Sequence, residues 1–133
     1  MPEFATDEQL YATLRALFAR IEEYDPQAAR TLLNSRLRIR LRFSQPTAEL
    51  LIDASQRPFH VAYGPCDARP DLDVSLTADT LHQILLGRLS LAKALGNKSL
   101  QPNGPVWKVM ALAGLFRQAQ AVYPDVLQGQ NRA

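Results

Sequence analysis

Arg36, Arg38, Arg40 and Arg42 recur at every second position and form the densest set of chemically able side chains here. They alternate with Leu37, Ile39, Leu41 and Phe43, a period that puts all four guanidiniums on one face of a β-strand. Such a row could grip phosphates, of a nucleic acid or of an anionic membrane surface. Glu49, Asp53 and Asp73 offer a second reading, because their alternation on neighbouring segments supplies cross-strand ion pairs. The compensating acids favour a solvent-facing, charge-paired surface. No aromatic side chain interleaves with the arginines as a base-stacking platform requires, so no nucleic-acid partner is expected.

The remaining candidates are weaker. His60 shares the parity of the arginine face and His82 follows Leu81 on a helical segment. They lie on different elements without a cysteine or acid at ligand spacing, so both are expected at the surface and outside any metal site. Asp67, Asp71 and Asp73 lack the glycine and terminal glutamate of a calcium loop. Cys66, beside Pro65, is the sole cysteine; it excludes an internal disulfide and fits a reducing compartment. There is no Gly-x-Ser-x-Gly elbow, phosphate-cradling glycine loop or dinucleotide fingerprint. Glu22, Glu23, Glu49 and Asp53 fall on polar faces, where no apolar pocket tunes an acid–base pair. No catalytic residue, metal or cofactor is expected.

At 133 residues and 47% apolar, the chain has a one-domain length and can build a core. Basic and acidic residues number 15 and 13, so the pI of 8.9 reflects two surplus positives. No apolar run approaches the ~18 residues that cross a bilayer. Met-Pro-Glu-Phe is no signal peptide and the ending Gln130-Asn131-Arg132-Ala133 is no peroxisomal signal. A soluble, cytoplasmic, single-domain protein is expected over residues 1–133.

The elements that must position these side chains follow from periodicity. Leu10, Leu14, Leu17, Ile21 and Tyr24 mark an amphipathic helix from Thr6 to Tyr24. Asp25-Pro26 reads as a restart signal for a shorter helix ending near Asn34. Three strands then follow, Arg36–Phe43, Thr47–Asp53 and one carrying Phe59, Val61 and Tyr63, joined as an antiparallel meander. After a loop over Gly64–Pro70, Leu72–Thr77 alternates as a fourth strand. Two glycine-stopped helices are expected over Ala78–Gly87 and Arg88–Gly96. Lys98–Gln101 forms a last short strand that closes at Asn103-Gly104. Pro105 should open a final helix with Val109, Leu112, Phe116, Ala119 and Tyr123 on its apolar stripe. Pro124 should end or kink it, leaving the last ten residues frayed.

Leu85-Leu86-Gly87-Arg88-Leu89 resembles the leucine-leucine-glycine-basic-leucine signature of the sterol-carrier-protein family. Gly96 and Gly104 fall where that family also places glycines, and Asp73-Val74-Ser75-Leu76-Thr77 resembles its fourth strand. The likeness spans Arg36 to about Tyr123, a core module over 36–123 preceded by N-terminal helices over 1–34. It departs at Gln101-Pro102-Asn103, where proline should confine the fifth strand to a sheet edge. The helix Thr6–Tyr24 exceeds what the module needs and is expected to serve as a lid or a homodimer surface. The resemblance implies an α+β fold: a five-stranded mixed sheet, order 3-2-1-4-5, with helices over one face enclosing an apolar tunnel.

What the resemblance implies for function is a non-catalytic carrier of a fatty acid, acyl thioester, sterol or isoprenoid-like lipid. Transient membrane contact would accompany exchange of cargo. Leu41, Phe43, Leu50, Ile52, Val61 and Leu76 would line the tunnel from the strands. Helices apolar on more than one face need deep burial or a greasy ligand to cover them. On that ground Leu81, Leu85, Leu91 and Leu95, with Trp107, Met110 and Phe116 from the last helix, complete the expected lining. An accessory protein presenting lipid or quinone intermediates to an enzyme is the alternative reading.

Overall fold

The computed structural model describes residues 4–24, 30–56 and 59–131. Two helices, α1 (Asp7–Tyr24) and α2 (Arg30–Ser35), lead into strands β1 (Arg38–Ser44), β2 (Ala48–Asp53), β3 (His60–Tyr63) and β4 (Leu72–Thr77). Next come α3 (Ala78–Leu85), α4 (Leu91–Gly96), β5 (Leu100–Asn103), a 3-10 helix (Val106–Leu112) and α5 (Ala113–Asn131). The strands form one mixed sheet in the order β3-β2-β1-β4-β5, as expected. Only β1 and β4 run parallel; every other neighbouring pair is antiparallel.

Period-two alternation fixes which sheet face is wet. Ile39, Leu41 and Phe43 of β1 stand opposite Ile52, Leu50 and Ala48 of β2 and beside Leu72, Val74 and Leu76 of β4, all buried. The arginines point to the other face. The ladder is shorter than four, because Arg36 adopts a left-handed backbone (φ 56°) after α2 and lies before β1 begins. Pro102 pairs with Val74 on the outermost strand, the edge position to which proline is confined in sheets.

Local caps decide the helix boundaries. Thr6 Oγ1 accepts from the Gln9 amide at 3.1 Å, and the Gln9 side chain accepts from the Ala5 amide at 2.9 Å. Thr77 caps α3 through the Thr80 amide at 3.0 Å, and Gly87 ends that region with φ 76°. Ser90 caps α4 through the Lys93 amide at 3.0 Å, so this helix starts at Leu91 and not at Arg88. The Asp25-Pro26 restart and the Tyr24 side chain lie outside the described residues.

The C-terminal helix departs from expectation twice. Pro105 offers no side-chain cap, and the chain winds first as a 3-10 helix before α5 starts at Ala113. Pro124 then neither ends nor frays α5, which runs on to Asn131. The proline sits on the exposed side, while Val122, Tyr123 and Val126 around it are buried and hold the helix to the core. Tertiary packing overrides the lost backbone bond.

α1 is part of this core and no appendage. Leu10, Leu14, Leu17 and Ile21 are all buried, with α1 packed against α5 over the apolar sheet face. The described residues of the expected stripe thus face the interior of the chain.

Candidate functional site

Between the helical layer and the sheet lies a cleft lined by twelve apolar side chains. Leu14, Leu17, Phe18 and Ile21 reach it from α1, because steps of three and four keep them on one face. Leu41, Leu50 and Ile52 form the sheet floor, adjacent through the β1–β2 register. Leu81 and Leu85 of α3 and Leu115, Phe116 and Ala119 of α5 close the remaining walls.

The free space is about 20 Å³, room for roughly one water, whereas a dry cavity holding benzene measures ~150 Å³. A narrow cleft stands where a tunnel was expected. Leu14, Leu17, Phe18 and Ile21 of α1 form one of the walls that bound this narrow space. The helix expected as a lid or homodimer surface borders the cleft with its apolar stripe.

Six of the expected lining residues meet here: Leu41, Leu50, Ile52, Leu81, Leu85 and Phe116. Phe43 and Leu76 are buried on the same sheet face but do not border the cleft. Val61, Leu91 and Leu95 are half-buried against the periphery of the core. Trp107 and Met110 do not approach it; they stand 68% and 55% exposed. Side chains three apart eclipse in a 3-10 helix, so Val109 and Leu112 turn inward together while Trp107 and Met110 turn outward. The α1 residues, Leu115 and Ala119 complete the lining without having been singled out for it, although the α1 stripe was legible.

His82 corrects a second expectation. It is buried at 8% exposure, with Nδ1 at 2.6 Å from the Tyr123 hydroxyl and the Phe4 ring edge-on at 6.0 Å. The pair ties α3 to α5, and Gln120 Nε2 adds a bond to the Ile84 carbonyl at 2.8 Å. These contacts brace one wall of the cleft without placing an ionisable group in it.

Two of the three expected acids compensate the charged sheet face, Asp53 and Asp73, whereas among the described residues Glu49 joins no ion pair. Arg40 meets Asp73 at 2.6 Å, Arg42 meets the same carboxylate at 3.2 Å, and Arg38 meets Asp53 at 3.5 Å. The Asp73 hydrogen bond raises the Arg40 pKa above its ordinary value against the opposing effect of burial. Burial pushes the Asp53 carboxyl up, but bonds from Ser55 and the Arg38 charge outweigh it and leave it below the usual value. His60 is exposed opposite Asp53. Among the described residues no three His, Cys, Asp or Glu side chains gather as a metal site would require, and no helix is long and apolar enough to cross a membrane.

The fold recurs in solved structures at low identity. Domain 2 of the sterol carrier protein of Helicoverpa armigera matches with TM-score 0.66 at 17% identity, covering 91% of this chain and 94% of that one. UbiJ-SCP2, a ubiquinone synthesis protein, gives 0.61 at 18% identity over 91% and 94%. Palmitated SCP2L2 of Aedes aegypti gives 0.56 at 18% identity over 78% and 90%. Comparison with curated proteins finds no match. The sequence model described as the SCP-2 sterol transfer family matches residues 14–117, from the middle of α1 into α5. That span exceeds half of the chain, and the protein belongs to the SCP-2 sterol transfer family.

Proposed function

We propose that the protein binds and carries the hydrocarbon part of a lipid, without catalysis, by opening the cleft between its sheet and helices. One observation carries the reading: every side chain around that cleft is apolar, so whatever displaces them must be apolar too. Without an ionisable group in the lining, nothing there moves a proton or attacks a bond. The family supplies the class of cargo, and the palmitated relative supports a long acyl chain among the ligands. Fatty acids, acyl thioesters, sterols and isoprenoid-like lipids all meet the requirement, because hydrophobic burial is non-directional.

Burying a methylene contributes about 0.8 kcal/mol, so a chain of ~16 carbons grosses ~13 kcal/mol before the costs of association. Separating α1 and α5 from the sheet draws on the same sum. Native mass spectrometry with solvent extraction of the purified protein tests the reading, alongside displacement of a fluorescent fatty acid. A bound lipid and saturable displacement are expected. Absence of both rejects it.

Likeness to the ubiquinone synthesis protein supports a second reading, an accessory that presents a quinone or lipid intermediate to a biosynthetic enzyme. Extraction of an isoprenoid quinone together with a co-purifying enzyme is its expected signature. Extraction of fatty acids alone, with no partner, decides for carriage. Transient membrane contact during loading belongs to either reading, and vesicle-to-vesicle transfer of a labelled lipid measures it. Sedimentation tests self-association through α1.

A further inference from the structure

A second cavity of about 370 Å³, lined by polar side chains and Leu76, opens at the end of the sheet where β1 and β4 stop. Its strand residues Ser44, Ser75 and Gln101 share the parity of the arginine face, while Leu76 belongs to the apolar face and Thr80 to α3, so the cavity wraps around the end of the sheet. Hydroxyls of Ser44, Ser75, Thr77, Thr80 and Ser99 surround it. Lys98 contributes an ammonium and Gln101 a carboxamide, and no carboxylate borders the space. Among the described residues no acid lies within ion-pair distance of Lys98. Arg42, opposite Ser75 in register, adds positive charge nearby, partly taken up by Asp73 at 3.2 Å.

The backbone at Lys98 is unusual. α4 ends at Gly96 with Asn97 as its cap, and Lys98 follows with φ 65°, the left-handed position that glycine commonly fills. Three bonds hold it there: its amide to the Leu95 carbonyl at 3.3 Å, Ser99 N–H to Asn97 Oδ1 at 2.9 Å, and Gln101 Nε2 to the Lys98 carbonyl at 3.2 Å. Glycine would relieve the strain but remove the only cation bordering the cavity.

We propose that this cavity binds a phosphate ester, with Lys98 as the charged partner and the surrounding hydroxyls and the Gln101 amide as donors. A tetrahedral anion carries several acceptor oxygens, and lysine serves such groups as a point charge. The cavity exceeds a bare phosphate, leaving space for the esterified alcohol. That ester is either a free metabolite or the head group of a lipid, and the two sources differ in what competes. The proposal does not rest on lipid carriage, since the cleft and the cavity share no lining residue.

Titration of the full chain with inorganic phosphate and with glycerol 3-phosphate, followed by amide NMR, is the test. Phosphatidylcholine vesicles with and without phosphatidic acid form the lipid arm, read by co-sedimentation. Saturable shifts at Ser75, Thr77 and Ser99 with the soluble ligands identify a free ester. Binding only to phosphatidic-acid vesicles identifies a head group. In either case Lys98→Gly should weaken binding on the order of tenfold or more. This variant should keep or raise the melting temperature and leave fatty-acid displacement unchanged, while Lys98→Arg retains binding. Binding in neither arm, or binding indifferent to Lys98→Gly, overturns the proposal.

Discussion

Tyr63 sits at the rim of the apolar layer, edge-on to Tyr11 at 5.8 Å and beneath the Arg15 guanidinium at 4.6 Å. Burial pushes its phenol up to about 12, against the lowering effect of Arg15. The unfolded chain ionises this group near pH ~10, before the folded chain does. Below that pH both states hold the proton and the fold loses nothing. From there to about 12 the unfolded state alone releases it, so stability falls as pH rises. Urea midpoints measured across this range should drop, and Tyr63→Phe should lessen the drop. Equal slopes for both proteins would refute the assignment. Tyr123 makes a different prediction. Its hydroxyl meets buried His82, so Tyr123→Phe strips a partner from an enclosed imidazole and should cost ~1–3 kcal/mol in denaturant unfolding. The burial of His82 was not legible beforehand, since its neighbours in sequence leave open which helix face meets α5.

Alternation and capping made most elements legible. Leu37 to Phe43 could only alternate as a strand, and Leu72 to Thr77 likewise; both sit in the sheet where the family likeness put them. The boundaries that slipped depended on tertiary partners or on a single side chain: Ser90 as the α4 cap, Arg36 turning left-handed, the 3-10 winding after Pro105. Pro124 is the clearest instance. An isolated helix would break there, yet buried Val126 keeps the last turns in place. Pro124→Ala should restore a backbone bond on the exposed side and stabilise the protein by ~1–2 kcal/mol, some of the gain being offset by a freer unfolded chain. Thermal unfolding checks this; a destabilised variant would mean that the ring itself is needed for packing.

Whether a lipid carrier is open or closed at rest is a property of the whole molecule, set by summed side-chain volume that no periodicity reports. Here the cleft bordered by Leu14, Leu17 and Ile21 offers only about 20 Å³. On the proposed reading, binding would compete with the protein's own packing, and apparent affinity would be the intrinsic affinity scaled by the open fraction. Removing part of that packing should shift the competition. Leu17→Ala deletes a buried α1 side chain and should destabilise the free protein by ~2–5 kcal/mol. The same deletion makes room for an alkyl tail, so long-chain fatty acid should raise the melting temperature of Leu17→Ala more than that of the wild type. Ala119→Leu runs the opposite way, since overpacking the α5 wall should weaken displacement of a fluorescent fatty acid while leaving the fold intact within ~1–3 kcal/mol. If fatty acid shifts all three melting curves equally, the tail does not enter between α1 and the sheet.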